Sequence, residues 1–220
     1  MAAITLLRAY QHSFDTRPNL TLSLTGGTLN AVGDAVAQVT QGVMQKDQKD
    51  QNRPKFDVQR NMRFFCYGMA ISPLMGRWNV FLERRFPLRA IGGSGKVSFK
   101  ALSKRVAADQ LIMAPIGLCL FIGGMGMMEA RSPSQIADRF RDIYRTALIA
   151  NWRVWPLAQL VNFRFMPLPY RVPFSQACGV FWTLYLSILN SEEDKRQDKG
   201  MQKMREIHAE YEDMKESERA

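Results

Sequence analysis

Six polar side chains recur at helical spacing inside stretches that are otherwise apolar. Asn30, Asp34 and Gln38 follow one another every four residues, and Gln41 and Gln45 continue the stripe. Asn151, Gln159 and Asn162 share a helix face with Trp155 on a second segment. Amides and a single acid in this pattern can line a path for water, small solutes or ions, or they can hydrogen-bond between helices. For Asp34 the two readings stand side by side. Covalent chemistry finds no comparable support. The chain has no P-loop, no GxGxxG after a strand, no HExxH and no CxxC. No serine or cysteine has an obvious base to activate it, and His12 and His208 are the only histidines. Cys66, Cys119 and Cys178 lie far apart in apolar runs, which argues against a disulfide framework and a cysteine zinc site. An enzyme, a bound metal and a cofactor are therefore not expected.

The elements that would carry these residues are long and apolar. Of 220 residues, 46% are hydrophobic and 23% charged, which excludes intrinsic disorder and collagen-like chains. Charge is unevenly placed. Residues 192–220 hold ten acidic and seven basic residues, net −3, so residues 1–191 hold the other 10 acidic and 23 basic, net +13. Within that body, Leu111–Met128 runs 18 residues and Val172–Ser191 runs 20 without a charge. Either length reaches across a hydrocarbon core of roughly 30 Å. Three further segments carry one charge each: Leu20–Met44 with Asp34, Phe64–Leu82 with Arg77, and Thr146–Phe163 with Arg153. Gly and Pro punctuate all five, as lipid-embedded helices tolerate better than soluble ones. Gly27, Ala31 and Ala35, and again Gly68, Ser72 and Gly76, form rows of small residues that permit close helix approach and self-association into a homo-oligomer.

Polar stretches at Gln45–Arg63, Phe86–Lys100, Glu129–Arg145 and Phe165–Val172 read as connections, the third as a short helix or loop. If four segments span, the basic Phe86–Lys104 region lies on the same side as both termini. Arg77, Asp109 and Arg153 are charges at bilayer depth or at a pathway's mouth. Asp109 could instead cap the helix that follows. Arg153 could pair with Asp34 or snorkel to the interface beside Trp152. Pro156 should kink its helix and free the carbonyl of Trp152. The basic body would suggest nucleic acid in a soluble protein, but its charges flank apolar spans, so anionic lipid headgroups explain them and no direct nucleic-acid partner is expected. In the tail, Met204, Ile207, Tyr211 and Met214 make a narrow apolar stripe on a charged helix.

One combination in the second half is specific: Asn151-Trp152-Arg153-Val154-Trp155-Pro156, Gln159, Asn162-Phe163, Pro167, Tyr170-Arg171, Trp182 and Tyr185-Leu186-Ser187. Arg8-Ala9-Tyr10-Gln11, Pro18, Gly33-Asp34 with Gln38, Arg60, Gly68, Pro73, Trp78, and Asp109-Gln110 with Pro115 support it. On these residues the chain resembles the Mpv-seventeen family of small peroxisomal and mitochondrial membrane proteins over roughly residues 5–190. It departs from the family at Leu7, where a Trp is usual, and at Asn79, where a Tyr is usual. The resemblance implies an organellar membrane protein with about four spans. Some relatives resemble non-selective channels, and others are tied to mitochondrial nucleotide supply. Arg8 and Arg17, with only Asp15 acidic in the first 33 residues, resemble a weak mitochondrial targeting helix, and no small-residue cleavage site is evident.

The expectation is thus an all-α polytopic bundle of about four spans over residues 1–191, drawn from five apolar segments, followed by a charged helical tail over 192–220. Its partners are the lipid bilayer and small solutes or ions. Asn30, Asp34, Gln38, Asn151, Gln159 and Asn162 are the residues expected to line a pathway, in the inner mitochondrial membrane or, alternatively, the peroxisomal one. The rival is a non-conducting scaffold that organises the membrane or recruits partners, through the tail for example.

Overall fold

A computed structural model describes residues 2–44, 55–88 and 97–184, and every element among them is helical. The tail over 192–220, the boundary at 191/192, and the glycine run of the Phe86–Lys100 loop lie outside the described residues. The chain runs α1 (Ala2–Thr16), α2 (Pro18–Met44), α3 (Val58–Arg85), α4 (Phe99–Ala108), α5 (Ala114–Met128) and α6 (Pro133–Phe165). A short 3₁₀ turn, Leu168–Tyr170, leads into α7, residues 171–184.

Local chemistry sets the boundaries. Asp57 caps α3, its carboxylate accepting from the Arg60 amide at 2.8 Å, and Ser98 caps α4 in the same way. Ser132 and Gln135 form a reciprocal capping box with Pro133 in the first turn of α6. The stretch from Glu129 is therefore not a short helix or loop to Arg145: only Glu129–Ser132 turns the chain, and α6 takes the remainder. Ala130 makes that turn with φ of 53°, and the Arg131 amide closes it on the Gly126 carbonyl. Pro167 and Pro169 end α6 as their spacing requires. Pro156 does not end it, because the 33-residue helix continues through.

α4 and α5 are one continuous helix, Phe99–Met128, joined by a π-helical turn at Asp109–Met113. Asp109 is accordingly inside a helix and is not the cap expected of it; Ser98 holds that position. Pro115 explains the wide turn. It has no amide to donate, and its ring crowds the carbonyl four residues back. The Ala114 amide bonds back to the Asp109 carbonyl, five residues earlier. Among the described residues, Phe99–Met128 is the one helix both long and apolar enough to cross a membrane.

α2 and α3 form an antiparallel hairpin, and α7 lies along both, parallel to α2. Ser72 of α3 sits under Gln176 of α7, and Gly33 of α2 under Val180. α4 and α5 run antiparallel to α3, with Trp78 beside Asp109 and Tyr67 beside Phe121. α6 returns antiparallel to α5. Four of the apolar segments thus lie side by side with the described part of the fifth, residues 172–184, and residue 184 lies at the end opposite α1. Among the described residues a small apolar core forms at the α3–α4–α6 crossing, from Leu82, Leu102 and Phe163.

Polarity in this bundle is turned inside out. Nine apolar and nine polar or charged residues are buried among those described. Meanwhile Leu111, Leu157 and Phe181, each within an apolar segment, are 67%, 69% and 72% exposed. In water the apolar groups would be covered first. Surrounded by hydrocarbon they need no cover, and polar groups gather inside to satisfy one another.

Candidate functional site

Small residues let the polar face of α2 meet its neighbours. A Cβ on Gly68 would stand 2.5 Å from the Gly26 carbonyl oxygen, so the two backbones nearly touch. The rows at Gly27 and at Gly68, Ser72 and Gly76 thus serve contacts within one chain. Beside this contact Asn30 donates to the Gly26 carbonyl at 2.9 Å. One turn on, the Asp34 carboxylate is fully covered. It pairs with the Arg60 guanidinium at 2.8 Å and accepts from Gln38 at 2.7 Å and Asn61 at 3.3 Å. Arg60, not Arg153, is the cation on Asp34. Arg153 is exposed, because it points away from the amide face of α6. Gln38 also exchanges two hydrogen bonds with the Asp57 backbone, tying α2 to the start of α3.

A second cluster forms at the π turn. The Trp78 indole donates to one Asp109 oxygen at 3.0 Å and the Gln110 amide to the other at 3.0 Å, and the Gln159 side chain reaches the carboxylate too. With the Ala114 amide bonded to Asp109 and no amide on Pro115, the Gln110 carbonyl has no donor along its own helix. The Trp152 indole supplies one at 2.9 Å, and Asn151 donates to the Gln110 side chain at 3.1 Å. The missing amide of one proline is thereby converted into a link between helices.

These clusters face each other across a cavity of about 470 Å³ that α2, α3, α5, α6 and α7 all border. Asn30, Asp34, Asn151 and Gln159 line it, together with Asp109 and Gln110, and Tyr67, Trp78 and Trp155 form much of its aromatic wall. Gln176 adds an amide that donates to Ser72 at 2.6 Å, while its buried carbonyl oxygen has no partner among the described residues. Gly117 borders the cavity with open space where a Cβ would stand. Asp34 carries its counter-ion, whereas Asp109 has no ion pair among the described residues. The cavity's uncompensated charge is therefore the Asp109 carboxylate, ringed by amide and indole donors. Such a lining can hold water, a small polar solute or a cation.

Two expected lining residues stand elsewhere. Gln38 lies behind Asp34. Asn162 is buried, donating to Gln159 at 2.9 Å and to Ser175 at 2.9 Å as a brace between α6 and α7. Arg77 sits on the outer surface of α3. Sequence reasoning missed Gln110 and Gln176 as lining residues. The available signal was their polarity in or beside the two charge-free runs.

A family model described as the Mpv17 / PMP22 family matches residues 126–187. Protein sym1 of Schizosaccharomyces pombe is 32% identical, over 89% of this chain and 95% of its own length. Protein sym-1 of Neurospora crassa is 34% identical over 85% of this chain and 100% of its own length, and Protein SYM1 of Saccharomyces cerevisiae 31% over 86% and 94%. No solved structure matches. The family model covers the α5–α6 corner and the Asn151–Asn162 face, and the relatives extend the likeness through α2 and α3. The chain belongs to the Mpv17/PMP22 family of organellar membrane proteins.

Proposed function

We propose that this chain is a non-enzymatic pathway for small solutes or ions, a bundle of about four spans with the central cavity as its polar segment. The observation that carries the reading is the cavity itself. Five helices with apolar outer faces turn their amides and one uncompensated carboxylate toward a shared space. A core built for stability alone would fill that space, because a void lined by polar groups is costly unless water or a ligand occupies it. Asp109 supplies the field for cations, and Asn30, Asn151, Gln159 and Gln176 exchange hydrogen bonds with a passing solute. The inner mitochondrial membrane is the location that best fits the first 33 residues, where Arg8 and Arg17 face a single acid, Asp15. In fractionated cells the protein should resist alkaline extraction and co-purify with inner-membrane markers.

The test is current through planar bilayers containing purified, correctly inserted protein. Wild type should show discrete conductance with cations favoured over anions. Asp109→Asn should keep the conductance and lose most of the preference. Gly117→Phe should reduce the current by tenfold or more, because the ring enters open space. Silence from folded wild type, or indifference to both substitutions, would leave the non-conducting scaffold as the better reading.

A further inference from the structure

A second cavity, on the outer face of the bundle, has a different character. It is a slot of about 410 Å³ between the α1–α2 junction, α3 and the 3₁₀ turn, walled by Phe14, Leu22, Val80 and Leu168. Arg77 and Arg84 stand along its edge. They are seven residues apart on α3, on one face and about 10 Å from each other along the axis. Neither has an ion-pair partner among the described residues. Glu83 is already held by Arg171 at 2.6 Å. Arg77 lies well inside an apolar segment, where an unpaired charge is costly unless its head finds an anion or reaches the interface. Both face outward, away from the polar cavity.

We propose that this slot seats one anionic phospholipid, an acyl chain lying against Phe14, Leu22 and Val80 and the phosphate held by Arg84, with Arg77 rising toward it from below. Charge complementarity selects the occupant. Apart from Asn19 the slot's walls are apolar, its charged lining residues among those described are the two guanidiniums, and Arg84 lies in the last turn of α3, beyond the apolar segment, where a headgroup layer would begin. Arginine forks match phosphate oxygens in pairs, which a neutral lipid headgroup with its own ammonium offset cannot use as well. This inference concerns the bundle's outer surface and stands whether or not the central cavity conducts.

Native mass spectrometry of the full chain, reconstituted with phosphatidylglycerol and phosphatidylcholine in equal amounts, tests the assignment. Wild type should retain phosphatidylglycerol at least fivefold over phosphatidylcholine after detergent exchange. Arg77→Gln/Arg84→Gln should lose that preference, and Arg85→Gln, one residue outside the slot, should keep it. Val80→Trp, which fills the slot with both charges in place, should also lose the bound lipid. Circular dichroism in phosphatidylcholine alone checks that each variant folds, and Arg77→Lys/Arg84→Lys replaces the glutamine pair if that pair does not; it should bind less tightly than wild type. Equal retention of both lipids by wild type, or unchanged preference in the folded double variant, would overturn the proposal. Displacement of the lipid by millimolar inorganic phosphate would overturn it as well, by making the site a plain anion site.

Discussion

At the scale of single residues, buried charge decides which substitutions matter. Arg105 and Arg171 are 1% and 4% exposed, and between them stands one carboxylate, Glu83, paired with Arg171. The Arg105 Nε donates to the Phe86 carbonyl at 2.8 Å, and its buried Nη1 has no partner among the described residues. Glu83→Gln leaves two guanidiniums without a counter-charge. Because Glu83 is itself partly exposed, the expected loss is on the order of 2 kcal/mol, less than for a fully buried pair. Thermal unfolding in lipid nanodiscs should show it, with Asp138→Asn on the exposed face of α6 as an unchanged control. Polar residues such as Asp34 and Gln159 were legible in the sequence because each interrupts an apolar run at helical spacing. Their partners were not. Spacing along one helix carries no information on which neighbour lies opposite, so Arg60 beside Asp34 emerged only from the packing, as did Trp78 beside Asp109.

Among elements, the α2–α3 contact and the docking of α1 invite the clearest tests. Gly68→Ala forces a methyl against the Gly26 carbonyl and should cost about 1–3 kcal/mol by overpacking. Gly42→Ala meets nothing within 4 Å and should gain up to about 1 kcal/mol of helix propensity. Comparing the two unfolding midpoints separates backbone approach from propensity. α1 is held by the Tyr10 phenol, which donates to the Pro169 carbonyl at 2.7 Å and packs at a tilt against Tyr170 with ring centres 5.3 Å apart. Burial, reinforced by the Tyr170 phenol, pushes Tyr10 up to about 12. The neutral phenol is therefore favoured in the docked state. Its contribution is whole below the ordinary value of 10 and disappears as pH rises through about 12. Protease protection of α1 should fall across that window in wild type, and in Tyr10→Phe it should be weaker throughout and flat there. The sequence made the helices legible through length and capping chemistry, Ser132 with Gln135 being one case. It hid the π turn, because a proline such as Pro115 signals disruption without saying whether a helix breaks, kinks or widens.

For the whole molecule, the inverted polarity predicts how the surface reacts. Cys66 and Cys119 are both exposed on the folded chain, yet lie on apolar segments. In a bilayer a charged, water-soluble maleimide should leave them largely unmodified, and in denaturing detergent it should label both. Rapid labelling of the bilayer-embedded protein would contradict the membrane reading. The five apolar segments could be read from charge gaps alone, whereas their common cavity could not, since it arises from three separated pairings: α2 with α3, α5 with α6, and α7 with the α2–α3 hairpin. That last pairing bears on how the protein is made. The Ser72 hydroxyl and the groove at Gly33 are completed by Gln176 and Val180, which come later in the chain than the residues they complete. Until α7 docks, the α2–α3 hairpin presents an unsealed polar furrow. Docking of α7, the last described helix, is then the step that closes the wall, and a chain truncated before residue 171 would keep its buried amides and hydroxyls open to whatever surrounds it.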